Sequence, residues 1–121
     1  MKYIDGFVLV VPKNKLEVYR EMAQKAGKIW RKHGALEYFE CVGDDLSPNT
    51  GGMKILTFPE MAKAKKDEVV MFSFIVYNSR EHRDEVNKKV MKDPFMKEQP
   101  KEMPFDMKKM CYGGFKAIVE E

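Results

Sequence analysis

The sequence has few of the residues that stabilise small secreted domains or bind metals. Only two cysteines, Cys41 and Cys111, and two histidines occur in 121 residues. Two cysteines do not make a disulfide framework, and we expect both thiols to be reduced in the cytosol. The longest apolar stretch, residues 69–77, has nine residues, whereas a membrane-spanning helix needs about 20. The first residues, MKYIDGFVLVV, lack a long apolar segment and a cleavage site, so we predict no signal peptide.

An excess of one charge is also missing. The chain has 22 basic and 19 acidic residues, for a net charge of +3. Because the lysines are interleaved with Glu and Asp, no concentrated basic face of the kind that binds a phosphate backbone is indicated. The length and the hydrophobic fraction of 44% are typical of one globular domain over residues 1–121. Five of the ten methionines fall within residues 91–110, which favours an adaptable packing surface there.

Hydrophobic periodicity predicts the order β-α-β-β-α-β. We expect strands at 3–11, 35–43, 68–77 and 110–119, and helices at 15–33 and from residue 78 or 79 to 92. This order is typical of an α+β, ferredoxin-like sandwich, an antiparallel sheet with helices on one face. An insertion at about 45–67 separates the second and third strands. It should contain an extended piece at 55–58 and one or two helical turns beginning at Pro59.

The ends of the predicted helices carry several local signals. Asn14 is a plausible N-cap of the first helix, with Glu17 three residues later completing a box-like pattern. Gly34 stands where a helix of this kind usually ends. Pro94 breaks the second helix, and a helical turn is predicted near 94–98.

The predicted sheet is apolar on both faces. In the third strand Phe72 and Phe74 alternate with Met71 and Ile75, yet there are helices for only one face. Burying the second face would remove several hundred Å² of apolar surface, worth about 10 kcal/mol before the cost of association. We therefore predict a symmetric homodimer. The alternative, a monomer with an apolar open face, would be prone to aggregation.

Three segments carry a resemblance to a known family: residues 3–45 (YIDGFVLVV…CVGDD), 72–94 (FSFIVYNSREHRDEVNKKVMKDP) and 103–118 (MPFDMKKMCYGGFKAI). Together they look like the YbaA-like domain-of-unknown-function family. The resemblance implies a dimeric α+β barrel, in which two ferredoxin-like units face their sheets together. It implies no reaction, and it leaves the cofactor, if there is one, unknown. The wider superfamily includes monooxygenases, haem-degrading enzymes and isomerases, but no catalytic motif of theirs is found here.

The stretch His33–Asp45, HGALEYFECVGDD, gathers six ionisable or metal-ligating side chains. In an extended strand Glu37 and Asp45 would be about 26 Å apart, too far to share one metal ion. We therefore predict no metal site, and interpret Asp44 and Asp45 as turn residues. Whether Glu37 or Glu40 faces inward is left open by the alternation.

Polar residues on the strand faces suggest a candidate ligand cavity. If the faces coincide, the space between the two sheets would contain the following residues: Asp5, Glu40, Ser73, Tyr77, Tyr112 and Lys116. An apolar cavity with a few convergent polar groups is a usual ligand site. Alternatively, Asp5 pairs with Lys116 or a backbone group and only fixes the register of the dimer. His82 is a candidate haem ligand or general base, or simply a capping group near the start of a helix.

Three functions follow from these features. The first is a homodimer that binds a small apolar or aromatic molecule in the sheet-to-sheet cavity, with or without cofactor-free catalysis. The second is a structural or interaction dimer whose methionine-rich residues 91–110 contact a protein. The third and least favoured is nucleic-acid binding by the lysines at 54–66 and 88–109, which would weaken steeply with salt.

Overall fold

The computed structural model describes residues 1–47 and 49–121 as an α+β fold built on one four-stranded antiparallel sheet. The strands are β1 (Tyr3–Pro12), β2 (Glu37–Val42), β3 (Glu68–Tyr77) and β4 (Cys111–Lys116), and the α-helices are α1 (Leu16–Lys32), α2 (Phe58–Ala62) and α3 (Arg80–Met91). Short 3-10 helices span Lys13–Lys15, Pro94–Glu98 and Met107–Lys109. The strand order is β2-β3-β1-β4, and every neighbouring pair is antiparallel. Pro48, in the predicted insertion, lies outside the described residues.

The start of α1 differs from the prediction. Asn14 was expected to cap the helix, but it lies within the 3-10 turn Lys13–Lys15, and no side chain caps α1. The turn runs directly from the end of β1 into the helix, so Lys15 occupies the capping position instead. The predicted end of α1 is confirmed: Gly34 follows the helix with a φ of +114°, a conformation that favours glycine.

The insertion forms the short helix α2. Thr57 accepts a hydrogen bond from the backbone of Glu60, whose side chain returns to the Thr57 backbone, a capping box. Residues 53–57 form no strand. Ala62 of α2 packs with Val10 and Val70, so α2 covers one end of the sheet face that faces away from α1 and α3.

The two faces of the sheet are covered unequally. α1 and α3 pack on one face, where Tyr19 joins Leu9 and Met71, and Val86 and Val90 join Ile75 and Tyr77. We call this the helix-covered face. The other, the open face, carries the alternate side chains of each strand: Ile4, Val8, Phe39, Cys41, Phe72, Phe74 and Phe115. Within residues 1–47 and 49–121, no helix has the length and apolar character needed to cross a membrane.

Candidate functional site

An apolar cavity of about 260 Å³ lies on the helix-covered face. Its walls come from the sheet, from α1 and from residues 94–110, which we call the Met-rich segment. Side chains that define the walls include Phe7, Met22, Trp30, Met96, Phe105 and Met110. Methionines adapt to irregular shapes, so a segment rich in them can close over molecules of somewhat different outline.

The Glu40 carboxylate and three hydroxyls form a polar group in this cavity; Gln99 also lines it, and its side chain donates to the Phe95 backbone carbonyl. The Glu40 carboxylate accepts hydrogen bonds from three hydroxyls: Tyr19 Oη at 2.7 Å on Oε1, Ser73 Oγ also on Oε1, and Tyr38 Oη at 2.7 Å on Oε2. We call these four residues the hydroxyl–carboxylate cluster. The hydrogen bonds to a charged acceptor are stronger than neutral ones and hold the four side chains in one arrangement.

Three elements of the fold position the cluster. Glu40 on β2 lies directly opposite Ser73 on β3, and both side chains face the helices. Tyr19 lies on α1, and Tyr38 lies two residues before Glu40 on the same side of β2. Gly27 of α1 allows the Tyr38 ring to approach, because a Cβ there would lie 2.8 Å from Cδ1 of that ring.

The two phenols of the cluster remain protonated over the ordinary pH range. Burial raises the pKa of Tyr19 far above its usual value, and the negative charge of Glu40 raises it further. The pKa of Tyr38 is raised by the same two causes, in the same order. Both hydroxyls therefore act as donors to Glu40 and keep the carboxylate hydrogen-bonded inside an apolar site.

A second polar group links α3 to the sheet near β4. Asp5, only 1% exposed, pairs with Arg83, whose Nη1 lies 2.7 Å from Oδ1. The same nitrogen donates to Tyr112 Oη at 3.1 Å, and the guanidinium lies 5.0 Å from the centre of the Tyr3 ring. Burial raises the pKa of Asp5, and the positive charge of Arg83 opposes that shift. This group is an ion pair that joins α3 to β1, with a further contact to Tyr112 of β4.

The six predicted site residues share a face, although not the expected one. Register places Asp5, Glu40, Ser73, Tyr77, Tyr112 and Lys116 on the helix-covered face. They lie there because the odd-numbered residues of β1 and β3 face α1 and α3. The sequence pattern alone could not decide which side of each strand the helices cover. They therefore do not line the open face, where the predicted cavity between two sheets would lie.

The six residues also divide into separate environments. Glu40 and Ser73 meet in the hydroxyl–carboxylate cluster, while Asp5 and Tyr112 meet at Arg83. Tyr77 is fully buried, and its hydroxyl finds no hydrogen-bond partner within the part of the chain that the structure describes. Lys116 is exposed, and the ion-pair partner of Asp5 is Arg83 rather than Lys116.

Sequence reasoning missed Tyr19 and Arg83. The ring of Tyr19 packs with the apolar side chains of the core, as expected of an aromatic residue in an amphipathic helix, but its hydroxyl reaches Glu40. Arg83 belongs to the charged segment SREHRDEVNKK, a composition typical of a solvated helix face. Its position three residues before the buried Val86 places it next to the apolar side of α3, and this spacing was the available signal.

The stretch His33–Asp45 contributes to packing and to the cluster. His33 Nε2 lies 2.8 Å from Asp93 Oδ2, which ties the end of α1 to the start of the Met-rich segment. The backbone N–H of Phe95 holds the pKa of Asp93 below its usual value, with a further contribution from His33. Within the described ranges, no group of three or more His, Cys, Asp or Glu side chains is arranged to hold a metal ion. His82 accepts a hydrogen bond from the Asn78 backbone at 2.9 Å, in the manner of a capping group.

These features define an α+β protein with a four-stranded antiparallel sheet and an apolar cavity beneath its helices. The chain belongs to the DUF1428 family, described as a protein of unknown function, which it matches over residues 2–107. It is 47% identical to the uncharacterized protein YbaA of Escherichia coli K12 and to that of Shigella flexneri, over 100% of each chain. A de novo designed protein, Foldit4, matches 97% of this chain and 99% of its own with 8% identity and a TM-score of 0.46, too low to support an argument.

Proposed function

We propose that this protein binds a small apolar or aromatic molecule in the cavity beneath its helices. The observation that carries the proposal is the hydroxyl–carboxylate cluster, which brings a carboxylate into a mostly apolar space. Ligand sites in proteins commonly combine apolar walls with a few well-placed polar groups that fix orientation. The volume of about 260 Å³ suits a molecule with one or two rings. The ligand class is the one predicted from the sequence, but the proposed site lies on the helix-covered face and not in the space between two sheets.

The same geometry indicates how the protein could act as a cofactor-free enzyme. Glu40 reaches the cavity and is held in place by three donors, so it is positioned to accept a proton from a bound molecule. Binding is the part of the proposal that the cavity supports directly. Catalysis would depend on the ligand carrying a suitably acidic proton within reach of that carboxylate.

Filling the cavity should abolish binding. Ala26 lines the cavity from α1, so A26L should occupy the space with apolar atoms, whereas Q24L adds the same side chain at an exposed position of the same helix outside the cavity. Native mass spectrometry of freshly purified wild-type protein and Q24L should show a bound small molecule, or both should melt at higher temperature with indole or phenol. A26L should show neither effect. The proposal would be contradicted if the wild-type protein showed no bound mass and no shift in melting temperature with indole or phenol.

We further propose that two copies pack their open faces together as a cytosolic, dimeric α+β barrel. Phe39, Phe72 and Phe115 are 48%, 47% and 62% exposed on that face. α2 covers only one end of it, through Ala62. The strand order β2-β3-β1-β4 supports assigning each copy to the ferredoxin-like sandwich. Exposed apolar patches of this kind commonly mark association surfaces.

The dimer can be tested by placing a charge on the open face. Sedimentation of the wild-type protein should give twice the chain mass of 14.1 kDa. F72E should sediment as a monomer, because a buried unpaired carboxylate opposes association strongly. V18E is the matched control, since Val18 is an exposed apolar residue on α1. It should remain dimeric, and a monomeric wild-type protein would disprove this part of the proposal.

A further inference from the structure

The cavity contains one carboxylate and no opposing charge. Its lining includes Glu40 but no Lys, Arg or His. In the part of the chain that the structure describes, Glu40 forms no ion pair with a basic side chain. Three neutral hydroxyls stabilise the carboxylate instead. A partly buried carboxylate held only by neutral donors leaves the cavity electrostatically suited to a cation.

Basic residues near the cavity do not fill this role. Arg20, Lys28 and Arg31 line an open groove between α1 and β2, on the outer side of the cluster. Arg20 is paired with Glu17 at 2.6 Å, and Arg31 donates to the backbone carbonyls of residues 35 and 36. Arg20 and Arg31 are therefore engaged with other groups. Glu40 also lines this groove, but within the described residues none of the three basic side chains forms an ion pair with it.

The hydrogen bonds of the cluster leave one acceptor position on Glu40 unused. A carboxylate has about four lone-pair sites, two on each oxygen. Oε1 accepts from Tyr19 and Ser73, which fills both of its sites, while Oε2 accepts only from Tyr38. A ligand that donates a hydrogen bond could therefore bind Oε2 without displacing any of the three hydroxyls. An acceptor-only ligand would find no free donor on the cluster.

Aromatic rings surround this position. Trp30 and Tyr38 pack with ring centroids 6.3 Å apart, and Tyr19 and Phe105 pack edge to face at 5.8 Å. All four side chains line the cavity. Aromatic faces attract organic cations, most strongly where water is excluded. The rings thus provide contacts both for an apolar body and for a positive group beside Glu40.

We propose that the ligand is a small apolar amine, bound with its protonated nitrogen at Glu40 Oε2 and its apolar body among the aromatic side chains. The inference rests on the proposed binding function and names the chemical class of the ligand. An anionic analogue would be repelled by Glu40. A neutral analogue would gain the apolar contacts but lose the charge pairing.

Three probes of similar shape can separate these cases: phenethylamine, 2-phenylethanol and 3-phenylpropanoate, measured by titration calorimetry at neutral pH. Wild-type protein should bind the amine at least tenfold more tightly than the alcohol, and the acid most weakly. E40Q should lose roughly tenfold or more in affinity for the amine while its affinity for the alcohol changes little. E37Q is the matched control, because Glu37 is exposed on the same strand and faces away from the cavity.

The outcomes distinguish the inference from the function on which it rests. Equal binding of amine and alcohol by the wild-type protein would overturn the inference and leave cavity binding intact. Binding of none of the three probes would overturn both. If E40Q does not fold, S73A retains the charge and removes one donor. It should keep the preference for the amine over the acid, and loss of that preference would count against Glu40 as its source.

Discussion

Replacing Arg83 by methionine should lower the free energy of unfolding by about 3–5 kcal/mol, because it leaves Asp5 charged and unpaired under the helices. Asp5 is 1% exposed, and the Arg83 side chain is 13% exposed, so solvent does little to screen the pair. Methionine keeps most of the apolar length of arginine, which limits the loss of packing to the guanidinium itself. Urea unfolding of both proteins at neutral pH measures the difference.

The effect of R83M should also depend on pH. Burial raises the pKa of Asp5 above its ordinary value, so the contribution of this group to stability is present below the unfolded-state pKa and lost as pH rises through the folded-state pKa. Removing Arg83 takes away the charge that opposes this rise. The difference between R83M and wild type should therefore shrink as pH falls through the raised pKa of Asp5, because the carboxyl group then becomes protonated and neutral.

Two controls isolate the ion pair from other causes. R80M changes an exposed arginine on the same helix and should alter stability by no more than about 0.5 kcal/mol. The double variant D5N/R83M should recover part of the loss, because it removes the buried charge together with its partner. A loss in R83M that is independent of pH and equal in the double variant would attribute the effect to packing alone.

Replacing Gly27 by valine should destabilise the protein by up to about 3 kcal/mol and disturb the hydroxyl–carboxylate cluster. A Cβ at this position would lie 2.8 Å from Cδ1 and 3.0 Å from Cε1 of Tyr38, so the ring must move. The gain in helix propensity over glycine is less than about 1 kcal/mol and does not offset the overlap. Moving Tyr38 also removes its hydrogen bond to Glu40 Oε2.

Thermal unfolding of G27V and Q24V tests this expectation. Q24V introduces the same β-branched side chain at an exposed position of α1 and reports its cost to the helix alone. The double variant G27V/Y38A should be less destabilised than the sum of its two single changes, since removing the ring relieves the overlap. Strict additivity would show that Gly27 matters for a reason other than the approach of Tyr38.

The sequence predicted the elements well where local signals were strong. The third strand was placed at residues 68–77, where the structure has it, because a long run of β-branched and aromatic residues is hard to misinterpret. The second predicted helix was expected to begin at residue 78 or 79, and Ser79 caps α3 by accepting a hydrogen bond from His82 N at 3.0 Å. The first helix was predicted from residue 15 and begins at Leu16, but the expected Asn14 cap was wrong, because Asn14 lies within a 3-10 turn.

The candidate site was harder to predict, because it depends on which sheet face the helices cover. Alternation correctly grouped Glu40 with Ser73, but strand parity carries no information about the side from which α1 approaches. The methionines of residues 91–110 suggested an adaptable surface, and several of them line the cavity. Their meeting with Tyr19 and Glu40 depends on tertiary packing between segments distant in sequence, which no local pattern encodes.

The central place of β1 in the sheet has a consequence for folding. β1 pairs with β3 on one side and with β4 on the other, so Tyr3 opposes both Tyr77 and Lys116. Pairing β1 with β4 closes the loop formed by all the residues between these two strands. Closing so large a loop is entropically costly, and sheets with such distant pairings fold slowly. Until β4 docks, β1 is an edge strand with unpaired backbone groups. During synthesis those groups are exposed to other chains for as long as the ribosome retains residues 111–116, which is when misassembly is most favoured.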